Sequence, residues 1–150
     1  MIPLRPPMDS KLLTVEDITG KNRHFLAPFK DFLKSDTPLC RAVLLPENGT
    51  LRAPLSGILA LCEPQSLCFA VCGRAQVLLC LHTKNDAALP LLHGDFLPLA
   101  SIGAPLKAGQ LLGWLDLAAL RRRGCDVLLS LVTEAPPSNL AERMQDRAKE

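Results

Sequence analysis

Apolar residues in this chain come in short runs, not in helical stripes, and most runs are closed by glycine, proline, asparagine or aspartate. Stretches of that length between breakers read as β-strands. They fall at residues 42–45, 51–53, 58–62, 67–72, 76–81, 97–102, 111–115 and 127–132. The intervening dipeptides carry turn chemistry. Asn48-Gly49 is a strong hairpin signal, and Gly73-Arg74 suits a tight connection. Pro54-Leu55-Ser56-Gly57 reads as a turn, and Gly109 suits a left-handed position. A short helical turn is expected over residues 87–92. Asp116 can cap a short helix over residues 117–123, which Gly124 ends. The pattern predicts an all-β fold, an antiparallel β-sandwich or barrel of short strands with one or two short helices. Residues 1–38 are expected to form an amino-terminal arm, proline-rich and with little structure of its own at the start. Residues 39–135 form the β domain, and residues 136–150 a polar tail, helical or frayed.

One run ends differently. Val77-Leu78-Leu79-Cys80-Leu81 leads directly into His82 and then into Thr83-Lys84-Asn85-Asp86. His82 therefore sits where a buried strand leaves the core. A histidine there can hold one ring nitrogen in a hydrogen bond and present the other to solvent, as a phosphoryl carrier or a general base requires. The plainer alternative is a strand-end histidine capped by a carbonyl. His93 and His24 are weaker candidates, because the first precedes Gly94 in an apolar stretch and the second lies in the amino-terminal part.

Composition narrows the choices. The 150 residues are 48% hydrophobic and 21% charged, which supports one domain with a sizeable core. A net charge of +2 is too balanced to mark a nucleic-acid or membrane footprint. The basic run Arg121-Arg122-Arg123 has no aromatic neighbour. With no Tyr and one Trp, stacking platforms for bases are scarce. No segment approaches the roughly 18 apolar residues that a membrane span needs, so no direct membrane insertion is expected. The start of the chain lacks the apolar core of a signal peptide. The six cysteines form no Cys-x-x-Cys pair and sit mostly among apolar residues. They read as small buried hydrophobes in a reducing cytoplasm, with no metal site and no cofactor expected.

From about residue 39 to 134 the chain resembles the glucose-type enzyme IIA domain of the bacterial phosphoenolpyruvate-dependent sugar phosphotransferase system. Ala53-Pro54-Leu55-Ser56-Gly57 resembles that family's Ala-Pro-x-x-Gly segment. The strand ending in His82 resembles the strand that carries its phosphorylated histidine, and the spacing from Pro54 fits without a gap. Phe96 followed by Gly103-Ala104-Pro105-Leu106-Lys107-Ala108-Gly109-Gln110 resembles its Phe…Gly-x-x-Val-x-x-Gly-Asp turn. The resemblance implies an antiparallel β-sandwich and a phosphohistidine carrier. Such a carrier takes a phosphoryl group from phospho-HPr and passes it to a IIB domain of a sugar permease, as a kinase-like transferase in sugar transport.

The site residues depart from the family pattern. The second histidine of the family corresponds to Leu67 here, and site-ringing aromatics correspond to Glu63 and Cys80. The family's His-Phe-Gly-Ile-Asp becomes His82-Thr83-Lys84-Asn85-Asp86, with Asp86 where the family has its Asp. The family's first Ala-Pro-Leu-Ser-Gly segment survives only as Leu26-Ala27-Pro28-Phe29.

Phosphoryl transfer needs a neutral ring nitrogen, a fixed tautomer, and donors for the equatorial oxygens. His82 is the candidate phosphoacceptor. Lys84 is a candidate replacement for the lost donor, or else a solvated turn residue. Asp86 can orient the loop, or simply bond its own backbone in a turn. Two function classes remain: a phosphocarrier, and a degenerate, non-catalytic enzyme IIA-like regulatory or binding module. A lipoyl-like or biotinyl-like carrier lacks the lysine hairpin, and a hydrolase lacks Gly-x-Ser-x-Gly.

Overall fold

The computed structural model describes residues 4–18, 24–32 and 38–134. The strands are β1 (Ser10–Ile18), β2 (Leu39–Pro46), β3 (Thr50–Arg52), β4 (Gly57–Glu63), β5 (Cys68–Gly73), β6 (Gln76–His82), β7 (Phe96–Pro98), β8 (Pro105–Leu106), β9 (Leu111–Leu115) and β10 (Leu128–Glu134). Helix α1 (Leu117–Arg122) lies between β9 and β10, and a 3-10 segment covers His24–Phe32. A seven-stranded sheet runs β1-β2-β10-β6-β5-β4-β8, and a three-stranded sheet runs β3-β9-β7. All pairings are antiparallel. The fold is the all-β sandwich that the run pattern predicts.

Successive side chains on a strand point to opposite faces, and here both faces of the large sheet are covered. Its inner face carries Cys40, Ala42 and Leu44 of β2, Phe69 and Val71 of β5, Val77, Leu79 and Leu81 of β6, and Leu129 and Leu131 of β10. These pack with Leu51, Leu112 and Leu115 of the small sheet. The rings of Phe69 and Phe96 meet across the layers with centroids 5.8 Å apart. The outer face carries Leu39, Cys68, Ala70, Leu78 and Val132, and on these lie Leu26 and Phe29 of the 3-10 segment. Gln76 Nε2 ties that segment down by donating to the Phe32 carbonyl at 2.7 Å. Burial on both sides explains why the β6 stretch is continuously apolar and does not alternate.

Four local expectations change. Residues 10–18, expected within an arm, form the edge strand β1, in register with β2 from Ser10↔Pro46 to Ile18↔Leu39. Leu4 and Met8 before it are buried in the inner core. Asn48-Gly49 makes no hairpin, because β2 and β3 belong to different sheets. Glycine is needed there by close approach: a Cβ on Gly49 would stand 1.7 Å from the Leu115 carbonyl oxygen. Residues 87–92 form no helical turn; Ala88 makes a single β-bridge to His82. The strand expected over residues 97–102 is only the short β7, Phe96–Pro98, while the cap and glycine signals act as read. Asp116 Oδ1 accepts from Ala119 N–H at 3.0 Å to cap α1, and Gly109 and Gly124 have φ of +87° and +83°. The polar tail expected at residues 136–150 lies outside the described residues.

Candidate functional site

His82 ends β6 on the outer face of the large sheet, in line with Leu78 and Cys80. The ladder fixes its neighbours: Leu128 lies opposite His82, Ser130 opposite Cys80, and Val132 opposite Leu78. One strand further, Arg41 of β2 stands opposite Val132, and beyond it Glu16 of β1 stands opposite Arg41. Alternation thus puts Glu16, Arg41, Ser130, Cys80 and His82 on one face.

These side chains connect. Arg41 Nε donates to Ser130 Oγ at 2.8 Å, and its Nη2 lies 3.4 Å from His82 Nε2. The guanidinium grips Asp86 with both terminal nitrogens, Nη1 at 3.3 Å from Oδ2 and Nη2 against Oδ1. Glu16 Oε1 is 3.6 Å from Arg41 Nη1. Ser130 Oγ lies 2.6 Å from His82 Nε2, and the Thr83 carbonyl lies 2.6 Å from His82 Nδ1. A carbonyl only accepts, so Nδ1 carries the proton and the neutral ring keeps its lone pair at Nε2. Ser130 then donates to Nε2 while accepting from Arg41, which uses its hydroxyl in both directions.

The loop after β6 folds back to complete the enclosure. Thr83 N–H donates to Ala87 O at 2.9 Å and Asp86 N–H to Thr83 O at 3.1 Å. Thr83 Oγ1 accepts from Asn85 N–H and Ala87 N–H. Asp86 reaches Arg41 from a left-handed backbone, φ +61°, a conformation that Asp tolerates better than most residues. Burial pushes the His82 pKa down from its ordinary value. The Thr83 carbonyl opposes this, Arg41 reinforces it, and Asp86 opposes it.

The structure brings His82 and Asp86 together and leaves Lys84 apart. Of the two readings of His82, the structure shows the strand-end histidine capped by a carbonyl: the residue is 3% exposed, with the Thr83 carbonyl at Nδ1 and Ser130 and Arg41 at Nε2. Lys84 stands as the solvated turn residue, the second of its two readings. Its side chain is 68% exposed and pairs with Asp126 at 3.5 Å, and Arg41 is the cation beside His82. Leu67 packs with the inner cluster, away from His82. Its φ of +54° is unusual for a leucine. Glu63 is exposed at the end of β4 and accepts from Ser66 Oγ at 2.8 Å. His93 is exposed, and the His24 side chain lies outside the described ones.

Sequence reasoning missed Arg41, Ser130 and Glu16. A signal existed for the first two. Each is a lone polar residue inside an apolar run, Leu39-Cys40-Arg41-Ala42-Val43 and Leu128-Leu129-Ser130-Leu131-Val132, and buried polar groups require partners.

No protein-family model matches the sequence, and no curated protein matches it. The solved structure of glucose permease IIA from Mycoplasma capricolum is similar in fold. It aligns with 90% of this chain and 80% of its own, at a TM-score of 0.53 and 15% sequence identity. The likeness shows a glucose-permease-IIA-like fold. Among the described residues, no helix is long and apolar enough to cross a membrane.

Proposed function

We propose that this chain is an enzyme IIA-like module of a sugar phosphotransferase system that acts by binding and not by phosphoryl transfer at His82. The observation that carries this reading is the closure of the histidine. Its ring is 3% exposed, and Ser130 donates to the one nitrogen that holds a lone pair. An incoming phosphorylated donor has to align its phosphorus with that lone pair, at about 3–3.5 Å. Ser130 and Arg41 stand in that position. The fold supports partners of the phosphotransferase class, an HPr-like carrier or a IIB domain of a sugar permease, acting in the cytoplasm.

Binding separates this reading from others. Wild-type protein and His82→Gln are titrated against purified HPr and against a IIB domain by calorimetry. Equal affinity for at least one partner in both proteins is the expected result. Absence of binding to both by the wild type sinks the reading.

A second reading is favoured by one specific observation. Nδ1 is fixed by the Thr83 carbonyl, Nε2 is the free-base nitrogen, and a guanidinium lies 3.4 Å from it. That set is what a phosphohistidine carrier requires once Ser130 turns away, with His82 as phosphoacceptor, Arg41 neutralising the phosphoryl oxygens, and Asp86 orienting Arg41. Lys84, exposed and paired with Asp126, enters this reading only at the rim.

A further inference from the structure

Cys68 of β5 and Cys80 of β6 are directly opposite in the ladder, with sulfurs 3.5 Å apart. At the adjacent pair, Leu81 N–H donates to the Leu67 carbonyl at 3.1 Å. Bonded and non-bonded pairs alternate along an antiparallel ladder, so Cys68 and Cys80 occupy a non-hydrogen-bonded position. Cα atoms there lie about 4.5 Å apart, within the roughly 4.4–6.8 Å that a disulfide spans. The sulfurs need to close by only about 1.5 Å to bond. All six cysteines are free thiols. Cys68 is 1% exposed, whereas Cys80 is partly exposed. On its other side Cys80 pairs with Ser130, the residue that holds His82.

We propose that Cys68 and Cys80 are a redox-active dithiol that closes reversibly to a cross-strand disulfide at the edge of the His82 cluster, with a low-molecular-weight disulfide as oxidant. The Cys80 thiolate attacks one sulfur of the small disulfide. That S–S bond breaks, a mixed disulfide forms on Cys80, and the released thiolate takes up the proton that Cys80 lost. The Cys68 thiolate then attacks the Cys80 sulfur, and the second small thiolate leaves and takes up the Cys68 proton. Two protein thiols are oxidised and one small disulfide is reduced to two thiols. A small dithiol reverses both steps. Exposure assigns the roles, since only Cys80 is open to a solvent-borne oxidant. The sulfur–sulfur hydrogen bond lowers the Cys68 pKa and, with burial, raises that of Cys80, so the first attack is slow and access, not acidity, selects Cys80.

The test treats the full chain with oxidised glutathione, alkylates remaining thiols, and maps cysteines by non-reducing peptide mass spectrometry. The expected result is loss of two alkylatable thiols, a Cys68–Cys80 cross-linked peptide, and recovery of both thiols with dithiothreitol. Cys68→Ser should stop at a glutathione adduct on Cys80. Should that variant not fold, the wild-type map decides alone. A cross-link between other cysteines, adducts confined to Cys62, Cys72 or Cys125, or retention of all thiols overturns the proposal.

Discussion

Ser130 Oγ stands 2.6 Å from His82 Nε2, and the same oxygen receives Arg41 Nε at 2.8 Å. One hydroxyl therefore joins β2 to β6 through β10. It also occupies the lone pair that gives a neutral histidine its reactivity.

Ser130→Ala removes that hydroxyl from a fully buried position. Arg41 Nε and His82 Nε2 both lose a partner. Leaving buried polar groups unpaired costs about 1–3 kcal/mol. Urea unfolding should show a lower midpoint with an unchanged slope, since the exposed surface on unfolding stays the same.

Protonation of His82 should weaken the fold. Burial holds its pKa below the ordinary 6.5. The unfolded chain therefore binds the proton more readily, and stability from this residue is complete above about pH 6.5. It is lost as pH falls from there toward the native value, by at most about 1.4 kcal/mol per pH unit. Urea midpoints measured downward from pH 7.5 should decline, and His82→Gln should flatten that decline.

Arg41→Met should be among the most damaging changes on this face. The Arg41 side chain is 6% exposed and faces Asp86 and Glu16. Its loss takes a cation away from both carboxylates. Breaking a wholly buried pair costs about 3–5 kcal/mol, and the 27% exposure of Asp86 reduces this to about 2–3 kcal/mol. Thermal unfolding checks the size. In proton NMR the His82 ring should titrate at a higher pH, because Arg41 is one of the groups that lower its pKa.

Lys84→Ala should do little. Lys84 and Asp126 are 68% and 64% exposed, and such pairs are worth about 0–1 kcal/mol. Stability should change by no more than about 0.5 kcal/mol, and the His82 titration should not move. A shift of that titration would place Lys84 at the site after all.

The strands were legible because their ends are written in turn residues, as at Gly73-Arg74 and Asp116–Gly124. Gly49 was legible as a turn but not as a crossing between sheets, since close approach to Leu115 is a tertiary fact. The amino-terminal strand β1 was not legible. Its polar-rich sequence, Lys11 and Thr14 through Glu16 and Asp17 included, suits an edge strand whose register comes from β2. At the site, His82 and Asp86 announced themselves by position in one short window. Arg41 and Ser130 join them only through the ladder, from 41 and 48 residues away. Burial of the ring follows from those partners, which no short window contains, so the window alone left Lys84 open between a donor for the site and a solvated turn residue.

Closure of His82 to phosphoryl transfer, as proposed, is tested by mixing the full chain with phosphoenolpyruvate, enzyme I and HPr and following the intact mass and the phosphohistidine signal in phosphorus NMR. No added phosphoryl group is expected on the wild type under conditions that fully phosphorylate HPr. A phosphoryl group that appears on the wild type and vanishes in His82→Gln would contradict it.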